Sequence, residues 1–202
     1  MKITLLAKKG GVGKSTVSIL LYEAFRQAGK SVSIHDWDAQ GTSSKSLELI
    51  HGTKQPGKTD TASIVIYDTP PSLDHTATAT AVRSADIVLV VTSPSPADIW
   101  EADDAVRFAK AKNPKASVRV IFNKVRRATV LGRLVDESAK QVSVPALSVT
   151  LSARECYQHA VAQGWKALDR AAREEVLQLI VALLSPSVET TYSPQTTQYQ
   201  QA

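Results

Sequence analysis

The sequence predicts a doubly wound α/β fold, a mostly parallel sheet flanked by helices. Three observations predict it. Short β-branched apolar runs alternate with longer helix-like stretches along the chain. The run 86–92 holds Ile87-Val88-Leu89-Val90-Val91 without a polar break, and 118–123 is similar, as expected of strands covered on both faces by crossover helices. The chemically distinctive residues fall where strands end, which is where open parallel sheets bind ligands.

The elements follow in order. Residues 2–7 read as the first strand and 14–28 as the first helix, separated by a glycine-rich turn. Residues 31–36 and 62–68 read as the next strands. Between them, 42–61 is polar, rich in Lys and Thr, and shows no clear element. After the strand 86–92, residues 97–112 have a helical pattern. A strand at 118–123, a helix at 129–141 and a weaker strand at 144–149 come next. Two helices close the pattern, at 154–163 and 168–184. The last carries an apolar stripe of Leu168, Ala172, Val176, Leu179, Ile180 and Leu183, which suits packing on a core. Residues 1–185 are expected to form one domain. Residues 186–202, rich in Thr, Gln, Ser and Pro without Lys or Arg, read as a polar, flexible tail.

Composition narrows the function classes. A chain of 202 residues with 43% hydrophobic content suits one globular domain with a sizeable core. No apolar run approaches the length of a membrane span. The first apolar run ends at once in the glycine-rich turn, so no secretory leader is expected, nor a helix-turn-helix region ahead of that turn. The single cysteine, Cys156, excludes an internal disulfide and a cysteine-ligated cluster, and reads as a small buried residue. The four histidines lack metal-ligand spacing. A reducing cytoplasm fits this composition.

The first chemical motif is Lys8-Lys9-Gly10-Gly11-Val12-Gly13-Lys14-Ser15-Thr16. Glycines between a strand and a helix let successive N–H groups converge on an anion, and the helix N-terminus favours phosphate. Lys14 brings positive charge to the β- and γ-phosphates, and the Ser15 hydroxyl is a magnesium ligand. The second motif, Asp36-Trp37-Asp38-Ala39-Gln40-Gly41, puts two carboxylates at the end of the second strand, where one can orient water and the other can support the loop or the magnesium shell. The third, Tyr67-Asp68-Thr69-Pro70-Pro71, ends an apolar strand in a carboxylate suited to magnesium. Asn123 ends the strand 118–123. Its carboxamide offers a donor and an acceptor, and an asparagine also suits a turn at a strand end.

These motifs resemble the ParA/MinD family of P-loop NTPases over about residues 1–185, most closely the small ParA proteins. The ordinary phosphate-loop pattern would place glycine where Lys8 stands; Lys9 matches instead the extra lysine of the family's deviant Walker A box, K-G-G-x-x-K-[ST]. The resemblance implies ATP and Mg2+ as cofactors and an ATP-sandwich homodimer in which Lys9 reaches the partner's nucleotide. It implies catalytic roles for Lys9, Lys14 and Asp38. It further implies nucleotide contacts from 9–16, with Asn123 at the adenine, and metal contacts from Ser15, Asp36 and Asp68. Ala39 stands where the family's switch I has proline, so this loop is expected to be less rigid.

Charge gives an independent indication. Residues 110–173 contain 13 Lys and Arg against 4 Asp and Glu, within a chain of formal net charge +5. Such asymmetry points to a face for a polyanion, bound through phosphates and sensitive to salt. Arg126, Arg127, Arg133, Arg154, Lys166 and Arg170 are the candidate DNA contacts, with Lys140 and Arg173 nearby. Together with this charge, the resemblance implies an ATPase that binds DNA non-specifically and positions a cargo over the nucleoid, with a partner protein stimulating hydrolysis. The cargo is open between plasmid, chromosome and protein complex or organelle. A MinD-like, membrane-associated division ATPase is the alternative; the final helix opposes it, with Glu174 and Glu175 on its polar side and no basic residue after Arg173. A tyrosine kinase with related nucleotide boxes is a further rival, weakened because the tail offers only Tyr192 and Tyr199.

Overall fold

The computed structural model describes residues 1–52 and 61–185. Its centre is a six-stranded sheet in the order β2-β3-β1-β4-β5-β6. The strands are β1 (Lys2–Leu6), β2 (Val32–Asp36), β3 (Ile64–Asp68), β4 (Ile87–Thr92), β5 (Ser117–Val125) and β6 (Ala146–Ser152). Every pairing is parallel. β1 lies between β3 and β4, so the connection from β3 to β4 steps over it. The connection after β1 leads toward β2 on one side and the connection after β4 leads toward β5 on the other, so a crevice opens at the carboxyl ends of β1 and β4, beside the turn after β1.

Side-chain alternation along β1 shows how the sheet divides the core. Ile3 and Leu5 join the core against α1 (Lys14–Gln27), α7 (Glu155–Gln163) and α8 (Arg170–Leu184). Leu6 joins the opposite core beneath α3 (Thr76–Ser84) and α4 (Pro96–Lys112). Thr4 also faces α3, where its hydroxyl donates to the Ala81 carbonyl at 3.1 Å. The stripe expected on the last helix is buried as a set: Leu168, Ala172, Val176, Leu179, Ile180 and Leu183.

Several sequence expectations need correction. The stretch 42–61 is not without structure: α2 occupies Thr42–His51. The Asp36 carboxylate accepts from the Ser44 amide in its first turn, at 2.9 Å, and Ser43, Ser46 and Leu47 are buried. Residues 53–60 lie outside the described residues. α3 was not expected at all. Its sequence, Thr-Ala-Thr-Ala-Thr-Ala-Val-Arg-Ser, alternates like a strand, but the His75 ring caps it at the Ala77 amide and Thr78, Ala81 and Val82 go inward. The helix expected at 129–141 is two short ones, α5 (Val130–Arg133) and α6 (Val135–Ala139), broken at Leu134. Gly132 explains the compactness there, since a Cβ on it would stand 1.9 Å from the Arg126 carbonyl oxygen. Cys156 is half-buried rather than buried. The expected tail, 186–202, is outside the described residues.

Candidate nucleotide site

Residues 8–13 turn from β1 into α1, whose first residue is Lys14. Gly13 caps the helix in the left-handed region at φ 93°, where a side chain is strained. The loop is also held from across the sheet. Asn123 Nδ2 donates to the Val12 carbonyl at 2.9 Å and Lys124 Nζ donates to the Gly11 carbonyl at 2.6 Å. Lys124 reaches back from a left-handed backbone at φ 58°, unusual for a residue with a side chain. Asn123 is therefore first a tether of the phosphate loop, with its oxygen and its second N–H left for another partner. The adjacent Asn-Lys pair was the available sequence signal; the role of Lys124 comes from its backbone.

The two loop lysines go different ways. Lys14 is buried and stands 4.0 Å from Asp68 Oδ1 at the end of β3. Lys9 is 55% exposed at its side chain and donates to Asp98 Oδ1 in α4 at 2.7 Å. Burial pushes the Asp98 carboxyl up, but hydrogen bonds from Lys9 and Ser93 outweigh it and hold the group below the usual carboxylate range. Lys8 pairs with Glu101 and Asp104, both at 2.8 Å, on the same helix.

Asp68 is fully buried; its carboxylate makes no well-formed hydrogen bond, but the Ser15 and Ser43 hydroxyls lie close enough to favour its charged form. Burial pushes its carboxyl above the usual range, opposed by the Lys14 charge. A buried carboxylate with unsaturated oxygens, beside a buried lysine and the Ser15 hydroxyl, fits a magnesium ion shared with phosphate. Among the described residues no group of three or more His, Cys, Asp or Glu could hold a metal by itself, so phosphate and water must complete its shell. Asp36 has a loop role as well: Oδ1 accepts from the Asp38 amide at 3.1 Å and Oδ2 from the Ser44 amide at 2.9 Å. It shapes the loop into α2. Asp38 stands half-buried on that loop, bonded through Oδ1 to the Gln40 amide at 3.0 Å. The Trp37 amide donates to the Asp68 carbonyl at 2.9 Å, which joins this loop to the end of β3.

Beside the phosphate loop lies a cleft of about 670 Å³, lined by Thr16, Asn123, Lys124, Arg126, Ser152, Arg154 and Tyr157 among others. Its size and position suit a nucleoside.

The basic candidates divide. Arg126, Arg127 and Arg133 are exposed after β5. Lys166 and Arg170 are exposed between α7 and the start of α8. α8 runs antiparallel to the sheet: Glu175 meets Ser152 at the end of β6, while the Ser185 carbonyl accepts from Arg119 near the start of β5. Its first turn, with Arg170, thus lies toward the carboxyl ends of the strands. Arg154 differs from the others. Its guanidinium bonds Glu175 at 2.6 Å, so its charge is spent inside the molecule.

Fold and site together define a P-loop nucleotide-binding protein. The chain belongs to the CobQ/CobB/MinD/ParA nucleotide-binding domain family, whose model matches residues 3–166. It is 26% identical over 197 residues to maintenance of carboxysome distribution protein A from Halothiobacillus neapolitanus, covering 85% of this chain and 91% of that relative. A protein with the same description from Gloeobacter kilaueensis is 29% identical over 181 residues, covering 80% and 81%. Among solved structures, the ATP complex of a Cyanothece McdA variant superposes with a TM-score of 0.74 at 13% identity, covering 91% of this chain and 96% of that one.

Proposed function

We propose that this chain is a ParA-type ATPase that dimerises on MgATP, binds DNA non-specifically in that state and distributes a cargo along the nucleoid. The observation that carries the reading is the division of labour between the two loop lysines. Lys14 is buried over Asp68, where it serves the nucleotide of its own chain, and Lys9 points outward, where it serves a nucleotide held by a second copy. Within one chain Lys9 rests on Asp98 and must leave it to do so.

The roles follow from position. The amides of 10–16 receive phosphate oxygens. Ser15 and Asp68 hold magnesium, which when bound neutralises phosphate charge as the γ-phosphoryl group leaves. Asp38 orients the attacking water from a loop that Asp36 fixes. Arg126, Arg127, Arg133, Lys166 and Arg170 supply the phosphate contacts to DNA, and a cognate partner protein stimulates turnover. The two curated relatives are named for carboxysome distribution, which favours a large protein body as cargo over a plasmid, and cargo positioning over the membrane-associated division alternative.

Co-sedimentation with duplex DNA tests this reading. The chain is expected to pellet with DNA in MgATP but not in MgADP, with binding that weakens steeply as salt rises. Asp38→Ala is expected to bind ATP normally, lose hydrolysis by about a hundredfold or more, and remain on DNA. DNA binding that ignores nucleotide, or undiminished hydrolysis in the variant, would contradict the reading.

A further inference from the structure

Glu175, on α8, is absent from every motif above, yet it gathers five hydrogen bonds from the turn that walls the nucleoside cleft. Its Oε2 accepts from the Ser152 amide at 3.0 Å and from the Tyr157 hydroxyl at 2.8 Å. Its Oε1 accepts from Ser152 Oγ at 2.8 Å, Arg154 Nε at 3.1 Å and Arg154 Nη2 at 2.6 Å. Ser152, Arg154 and Tyr157 all line the cleft; Glu175 stands behind them, with 19% of its side chain exposed. Arg154 approaches through both Nε and Nη2, which converge on the single oxygen Oε1 as charge-assisted hydrogen bonds.

The surroundings make this carboxylate a built feature. The turn from β6 to α7 is short, and its backbone is otherwise held by the Ala153 amide on the Val125 carbonyl at 2.9 Å. The Tyr157 hydroxyl oxygen also lies 3.3 Å from the Ala172 carbonyl oxygen, so its ring is held between α7 and α8. Removing the charge would leave an arginine, a tyrosine hydroxyl and a backbone amide seeking other partners at the edge of the cleft.

We propose that Glu175 is a positioning residue for the nucleoside half of the site: by fixing Ser152, Arg154 and Tyr157 it preforms the wall against which the base and ribose seat. The phosphate loop is built by β1, α1 and the Asn123–Lys124 tether, and does not depend on Glu175. The inference rests on the proposal that the chain binds ATP, and it separates the two ends of that ligand.

Calorimetric titration with MgADP and with magnesium tripolyphosphate tests it. In Glu175→Gln, which keeps the side-chain volume, the Kd for ADP is expected to rise about tenfold while that for tripolyphosphate stays as in the wild type. Arg154→Ala is expected to show the same selective loss, and to add little in the Glu175→Gln background, because the two act through one contact. Unchanged ADP affinity would overturn the proposal, and so would an equal loss for both ligands, which would mark Glu175 as a general stabiliser. If Glu175→Gln does not fold, the ligand selectivity of Arg154→Ala decides alone. A wild-type chain that binds neither ligand would overturn the ATPase reading together with this one. Wild-type binding with unselective variants overturns this one only.

Discussion

Gly13→Ala is expected to raise the Kd for nucleotide by about a hundredfold or more. Two costs coincide at this position. An alanine held at φ 93° is strained by about 1–2 kcal/mol. Its Cβ would also stand 2.3 Å from Asn123 Nδ2. Either the carboxamide leaves the Val12 carbonyl, abandoning a buried bond worth about 1–3 kcal/mol, or the loop shifts away from its phosphate-binding shape. A free loop that relaxes to escape these costs must incur them again to seat the phosphates, and at about 1.4 kcal/mol per decade they reach the stated loss. Gly29→Ala is the control, because that glycine has φ 70° with open space around it. It should lower thermal stability and leave affinity unchanged. Near-normal nucleotide binding in Gly13→Ala would show that the Asn123 tether does not shape the loop.

Lys14→Ala is expected to abolish MgATP binding and to destabilise the chain in a pH-dependent manner. Asp68 is fully buried, and Lys14, 4.0 Å away, is the cation that faces it. Burial raises the Asp68 carboxyl, and the Lys14 charge opposes that rise. Without Lys14 the folded-state value climbs further above its unfolded value. A carboxyl raised on folding binds protons more tightly in the folded state, so stability falls as pH rises through and above the ordinary carboxylate range. The variant should therefore match the wild type most closely in acid and fall behind by about 3 kcal/mol at neutral pH, the scale of an uncompensated buried charge. Adding Asp68→Asn should restore stability without restoring nucleotide binding. Thermal unfolding at acid and neutral pH measures this, and an equal deficit at both would contradict it.

What could be read from the sequence was local. A strand, three glycines and two lysines in register specify a phosphate loop because the geometry they need is contained in nine residues. Asp68 was legible for the same reason, as a carboxylate closing an apolar strand. The misreadings came where tertiary contacts decide. The alternating Thr and Ala of α3 show no helical period in sequence, but the His75 cap and the burial of Thr78, Ala81 and Val82 make it a helix. α2 is polar in sequence and is started by a carboxylate six residues earlier, from Asp36 to Thr42. Arg154 looked like its basic neighbours until α8 brought Glu175 against it. No spacing rule links residues 152, 154, 157 and 175; only the return of α8 across the end of β6 does.

The central claim is that MgATP joins two copies through Lys9. Sedimentation velocity of the wild type and of Lys9→Ala, each without nucleotide, with MgADP and with MgATP, tests it most directly. The account predicts a wild type that moves from monomer to dimer in MgATP alone, and a Lys9→Ala variant that still binds ATP but stays monomeric. A wild type that remains monomeric in saturating MgATP, or a variant that dimerises as well as the wild type, would contradict it.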